Sequence, residues 1–146
     1  MKFVLTPFLC LLFLCHALPG QVPALRFKVY STAEGLSNAT VHDILQDKRG
    51  FMWIGTSNGL NRFDGYRFEV FRKQKEHTEG LYSNQISCLL EDQQGVLWVG
   101  TGKGLNYFLP WEQQFHQKSF GDSLQIPHIR AMVEDEQGQL WVGSNQ

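Results

Sequence analysis

Asp47-Lys48-Arg49-Gly50-Phe51-Met52-Trp53-Ile54-Gly55-Thr56 is the stretch that decides the fold, because the chain writes it three times. Asp92-Gln93-Gln94-Gly95-Val96-Leu97-Trp98-Val99-Gly100-Thr101 is the second copy, and Asp135-Glu136-Gln137-Gly138-Gln139-Leu140-Trp141-Val142-Gly143-Ser144 the third. The Trp residues are spaced by 45 and then 43 positions, and the Asp and Gly residues keep the same spacings. A fixed period of this size marks an array of one supersecondary unit.

The likeness extends outward from each copy. Upstream, Val41-His42-Asp43-Ile44-Leu45, Ile86-Ser87-Cys88-Leu89-Leu90 and Ile129-Arg130-Ala131-Met132-Val133 correspond. Downstream, Gly59-Leu60-Asn61-Arg62-Phe63 matches Gly104-Leu105-Asn106-Tyr107-Phe108. The apolar runs are short, β-branched or aromatic, and bounded by Asp and Gly, which is strand chemistry. The first copy therefore predicts strands near 41–46, 51–55, 60–63 and 67–72. Asp47…Gly50 and Asp64-Gly65 supply turns, since Asp bonds its own backbone and Gly takes positive φ.

Side chains alternate faces along a strand. Phe51 and Trp53 point one way, Met52 and Ile54 the other, and both sets are apolar. Such a strand belongs to a sheet covered on both sides. Four-stranded antiparallel units of 40–45 residues, each covered by its neighbours, describe an all-β fold of β-propeller blades. Gly55, Gly100 and Gly143 are expected to permit close backbone approach.

At the amino end, Lys2 precedes an apolar run from Phe3 to Ala17, followed by Leu18-Pro19-Gly20. This pattern predicts a signal peptide over 1–20, too short to span a bilayer comfortably. An uncleaved anchor, or a lipid on Cys15, is the alternative; Leu14 is larger than the residue a lipidation signal places before its Cys. No second apolar span follows, so an exported or periplasmic chain is expected. The remaining 126 residues correspond to about 2.9 repeats, fewer than the about 4–8 blades of a closed ring. The expected layout is a lead-in strand region over 21–35, repeats over 36–80 and 81–123, and a partial repeat over 124–146. The partners expected are further blades or a homo-oligomeric copy.

The chemistry-bearing residues have modest readings. Lys+Arg 13 against Asp+Glu 14 gives no basic excess, which argues against nucleic acid as a partner. His42, His77, His116 and His128 form no close metal-ligand pair, and there is no Cys-x-x-Cys, so no metal and no cofactor are expected. Beyond the signal only Cys88 remains, in a strand that reads as core. Gly100-Thr101-Gly102-Lys103-Gly104 lacks the P-loop spacing and leads into a strand. Asp47, Asp92 and Asp135 recur in every unit, as turn residues do and a catalytic acid does not. Asn38-Ala39-Thr40 fits a glycosylation sequon, meaningful only in a eukaryotic secretory route. His128, after Pro127, is expected in a solvent-facing loop. Trp53, Trp98 and Trp141 are expected between blades; Trp111, outside the repeat, is the aromatic singled out for ligand contact.

The run Leu36-Ser37-Asn38, Ile44-Leu45-Gln46-Asp47, Gly50-Phe51-Met52-Trp53-Ile54-Gly55-Thr56 and Gly59-Leu60-Asn61-Arg62-Phe63-Asp64-Gly65 resembles the two-component regulator propeller repeat. The resemblance covers roughly 30–144. It implies the periplasmic sensor region of a hybrid two-component histidine kinase, responding to carbohydrate and passing the signal to a kinase and phosphorelay. No kinase motif can be assigned to residues of this chain, so a sensor fragment without an active site is expected. Two rivals stand beside it: a glycan-processing enzyme on a propeller, and a lectin-like chain whose blades assemble between subunits.

Overall fold

Each Asp-x-x-Gly turn folds the chain back so that its flanking strands pair antiparallel. The computed structural model describes residues 26–74, 80–120 and 128–145. Blade 1 comprises β1 (Val41–Gln46), β2 (Met52–Thr56), β3 (Gly59–Phe63) and β4 (Phe68–Phe71); blade 2 comprises β5 (Ile86–Glu91), β6 (Leu97–Thr101), β7 (Gly104–Leu109) and β8 (Gln114–Lys118). Both are meandering four-stranded sheets, in the order β1-β2-β3-β4 and β5-β6-β7-β8. The partial blade 3 pairs β9 (His128–Glu134) with β10 (Leu140–Asn145). The fold is all-β, as the alternation predicts.

The register repeats with the sequence. Leu45 faces Trp53, Leu90 faces Trp98 and Val133 faces Trp141. Gly50 sits at φ 91°, a left-handed conformation that suits glycine, and closes its turn by donating N–H to the Asp47 carbonyl at 2.8 Å. β2 and β3 run further into the next turn than expected, leaving only Ser57 and Asn58 between them. Thr56 Oγ1 donates to the Gly59 carbonyl and accepts from Asn58 N–H, which fastens the ends of both strands.

β1, β5 and β9 lie side by side as the inner strands, and the outer strands fan away from them. Between blades 1 and 2, Trp53, Leu60, Leu81, Ile86, Leu89, Leu97, Val99 and Phe108 form the principal core. Trp53 packs against the Phe71 and Phe108 rings at centroid distances of 5.7 and 5.3 Å. Burying an aromatic of this size contributes a few kcal/mol, on the order of 3. A second core, Cys88, Leu105 and Ile129 with Trp98, Met132, Leu140 and Val142 beside it, joins blades 2 and 3.

Two expectations need correction. Residues 26–35 hold no strand: Ser31 and Glu34 form a capping box that closes a 3-10 turn over Thr32–Glu34, and Tyr30 packs edge-on against Phe63 and Phe68. His128 begins β9, paired with Asn145, because the ladder extends to the end of β10. The signal segment and His77 lie outside the described residues. Asn38 accepts from Thr40 N–H, so the sequon residue serves a local turn.

Candidate functional site

The repeated residues are occupied in holding each blade together. Asp47 Oδ1 accepts the backbone N–H groups of Arg49 and Phe51, while Oδ2 accepts from Trp53 Nε1. Asp92 does the same with Gln94, Val96 and Trp98, and Asp135 with Gln137, Gln139 and Trp141. One carboxylate thus shapes the turn and pins the ring of the strand that follows. Burial pushes the Asp47 carboxyl up, but hydrogen bonds from Trp53, Phe51 and Arg49 outweigh it and hold the group below its usual range. For Asp135 the Trp141 indole is the main cause of the same lowering, followed by Gln139 N–H. Asn61 and Asn106, matched in the two full repeats, are buried and tie β3 and β7 to preceding loops: Asn61 Oδ1 accepts from Ser37 N–H, and Asn106 Oδ1 from Tyr82 N–H.

Gly55 and Gly100 are seats for the next blade. A Cβ on Gly55 would stand 2.7 Å from Ile86 Cγ2, and one on Gly100 would stand 2.8 Å from Ile129 Cγ2. Both separations are shorter than any tolerated carbon contact, so only glycine admits the neighbouring strand.

The positions that differ between repeats gather at one end of the inner strands. His42, Gln85, Ile86, Ser87, His128 and Arg130 line a cleft of ≈ 130 Å³. His42, Ser87 and Arg130 occupy the same place in β1, β5 and β9, one residue after Val41, Ile86 and Ile129. His42 Nε2 lies 2.8 Å from Ser57 Oγ. Arg130 is steadied by Asn145, whose side-chain oxygen, with the amide turned toward it, accepts from Nε at 3.1 Å and Nη2 at 3.0 Å. Burial lowers the His128 pKa, and the neighbouring Arg130 guanidinium and then the His42 ring lower it further. Guanidinium, imidazole, amide and hydroxyl groups at one mouth suit hydrogen bonding to a hydroxyl-rich or anionic ligand.

Of the residues singled out from sequence, Trp111 stands in the turn between β7 and β8, 65% exposed, on the outer half of blade 2 and apart from this cleft. Cys88 is buried, and burial pushes its thiol up to about 11. Among the described residues, no three His, Cys, Asp or Glu side chains converge to hold a metal ion. The cleft residues were legible only by comparing equivalent positions between repeats and asking which ones change.

Antiparallel four-stranded units that recur along the chain and stack face to face make this a β-propeller protein. The model of the two component regulator propeller family matches residues 35–58, 83–103 and 123–146, so the chain carries three copies of that family's repeat. The curated relative described as histidine kinase P4 of Formosa agariphila is 42% identical over 66 residues, covering 45% of this chain and 5% of its own length. Among solved structures, the extracellular domain assigned to a hybrid two component system of B. thetaiotaomicron superposes with a TM-score of 0.70 at 29% identity, over 79% of this chain and 17% of that one. The extracellular domain assigned to a one component system of the same organism gives 0.64 at 27% identity, over 79% and 15%. The chain therefore spans a small part of the proteins it matches. Among the described residues, no helix is long and apolar enough to cross a membrane.

Proposed function

We propose that this chain is part of an exported sensor region that binds carbohydrate and reports to a two-component system. The observation that carries the reading is the cleft at the inner strands, where His42, Ser87 and Arg130 differ at equivalent places while the residues that build the blades repeat. A propeller gathers its inner-strand ends around one axis, so non-repeated polar groups there face a common ligand. The likeness to extracellular domains of two-component systems and the signal-like segment at 1–20 support export. A relative that is a histidine kinase supports signalling as the outcome of binding.

Calorimetric titration of the chain with a panel of neutral and acidic oligosaccharides tests the proposal. Binding lost in Arg130→Ala and kept in Trp111→Ala is the expected result. Binding lost only in Trp111→Ala would move the site to the outer turn, and no binding to any sugar would overturn the carbohydrate reading.

A further inference from the structure

The charge at the mouth of the inner strands departs from that of the chain. The whole sequence carries 13 Lys and Arg against 14 Asp and Glu. Among the described residues that line the cleft, Arg130 is permanently charged, His42 and His128 can become so, and none is acidic. Asp43, next to His42 along β1, is turned to the backbone: its Oδ2 accepts from Leu89 N–H at 2.7 Å and its Oδ1 from Ile44 N–H at 2.8 Å. No ion pair among the described residues neutralises Arg130.

Arg130 is held ready for an anion. Asn145, on the neighbouring strand β10, accepts from its Nε and from one side of its Nη2. A guanidinium has five N–H donors, so the donors of Nη1 and the other side of Nη2 remain. Those two nitrogens form an edge that meets two oxygens of one oxyanion side by side. Asn145 also pairs with His128 across the β9–β10 ladder, which places the imidazole at the same end of the hairpin. Ser87 donates its hydroxyl proton to the Ile129 carbonyl at 2.5 Å, so its oxygen is left as an acceptor. The donors of the cleft are therefore Arg130, the imidazoles and the Gln85 amide. Protonation of His128 is opposed by burial first, then by Arg130 and the His42 ring. An oxyanion beside these groups offsets that opposition.

The same lining suits a neutral sugar poorly. Among the described residues it holds no Trp, Tyr or Phe whose face a sugar ring could cover, and Ile86 is its one aliphatic side chain. A neutral hydroxyl entering the cleft exchanges hydrogen bonds with water for similar ones, whereas a charged partner makes bonds roughly twice as strong. Granting the carbohydrate reading of the cleft, on which this rests, we infer that its ligand is an acidic saccharide. Its oxyanion, a uronate carboxylate or a sulfate ester, is taken by the free edge of Arg130 and by His128. Gln85 and Ser87 on β5 are left for the ring hydroxyls, one as donor and the other as acceptor.

Calorimetric titration of the chain with matched probes tests it. A galacturonic acid trisaccharide is compared with its methyl ester, a sulfated galactose trisaccharide with its unsulfated form, and inorganic sulfate is titrated alone. An acidic sugar is expected to bind at least about tenfold more tightly than its neutral counterpart, and the arm that does so names the oxyanion. Arg130→Gln removes the charge from an exposed side chain, and unchanged near-ultraviolet dichroism is expected to show that it folds. The preference for the acidic sugar is expected to vanish in this variant. Titrations at about pH 6 in buffers of different ionisation enthalpy are expected to show proton uptake with the acidic sugar and none with the neutral one. Equal binding of acidic and neutral sugars overturns the inference and leaves the carbohydrate reading standing. So does a preference that survives Arg130→Gln. Inorganic sulfate that binds as tightly as the sulfated sugar overturns both, because the saccharide then contributes nothing, and so does a failure of every probe to bind.

Discussion

Asp47 Oδ2 accepts a hydrogen bond from Trp53 Nε1 at 2.9 Å, and both residues are buried. The same bond measures 2.8 Å for Asp92 and Trp98 and 2.7 Å for Asp135 and Trp141. Length barely changes along the chain, but surroundings do: Trp53 is 0% exposed and Trp141 60%. Each full blade is covered by its successor, and blade 3 has none among the described residues. A polar group stranded without water costs more than one that solvent can reach. Equal bonds should therefore be unequal in worth.

Asp47→Ala strands the Trp53 indole N–H and frees two turn N–H groups, with an expected loss of about 2–4 kcal/mol. Asp135→Ala, where water replaces the carboxylate, is expected to cost clearly less. Urea midpoints of the two variants check the ordering. Equal losses would mean that turn closure alone, and not burial of the ring, sets the value of the Asp.

Acid should release these clasps. The Asp47 and Asp135 carboxyls are held below their usual range in the folded chain. A carboxyl lowered on folding stabilises fully above its unfolded value of about 3.9 and loses that contribution as pH falls through the folded value. Trp fluorescence followed from pH 5 to pH 2 is expected to report the loss below about pH 4. Asp47→Asn should flatten the profile over that window, and an unchanged profile would exclude Asp47 as its source.

Gly55→Ala places a methyl 2.7 Å from Ile86 Cγ2, and neither β2 nor β5 can withdraw without opening the core between the blades. Overpacking of this kind costs about 1–3 kcal/mol. Gly143→Ala, in open space, is expected to be neutral or stabilising by about 0.5–1 kcal/mol. A double-mutant cycle of Gly55→Ala with Ile86→Ala should give a coupling above about 0.5 kcal/mol, because the smaller side chain relieves the clash. Additive losses would place the strain elsewhere.

The architecture was legible because its signals repeat. Asp, Gly and Trp at fixed spacing announce a turn and a strand, and three copies turn a weak local pattern into a fold. Trp53 as inter-blade core follows from the alternation of Phe51 to Ile54. What spacing did not reveal is why the Asp and Trp travel together. Their separation of six residues folds across a hairpin, and only the paired register of Leu45 with Trp53 brings carboxylate and indole together. Residues 26–35 misled because Phe27, Val29 and Tyr30 look like a strand, whereas the Ser31 and Glu34 pair diverts the backbone into a turn. The cleft was hidden because its members, His42, Gln85, Ser87, His128 and Arg130, are the ones that do not repeat. Their nearness depends on how the inner strands converge.

Cys88 should be a poor nucleophile. Its thiol is buried against Gly100 and Ile129 and pushed up to about 11, so at pH 8 little of it is thiolate. Alkylation in the folded chain is expected to run at least about a hundredfold slower than in denaturant, given an ordinary thiol near 8.5. Comparable rates would mean that the second core opens readily at blade 3.

His128 offers a way to tell what the cleft accepts. Burial, then Arg130 and His42, keep its pKa below the ordinary value, so the ring is neutral at pH 7. The folded chain consequently binds fewer protons there than the unfolded chain, and its stability falls as pH drops below about 6.5. Arg130→Gln removes one repelling charge but leaves the burial, so imidazole titration followed by NMR is expected to rise part of the way back. A carboxylate-bearing sugar in the cleft would raise the same pKa by pairing with the imidazolium, and its affinity would grow as pH falls from 7 to 5. A neutral sugar that only excludes water would lower the pKa further and bind less well over that range. Titrating His128 with and without each oligosaccharide separates the two. A ring whose pKa responds to neither the Arg130 substitution nor any sugar would remove this cleft from the binding site.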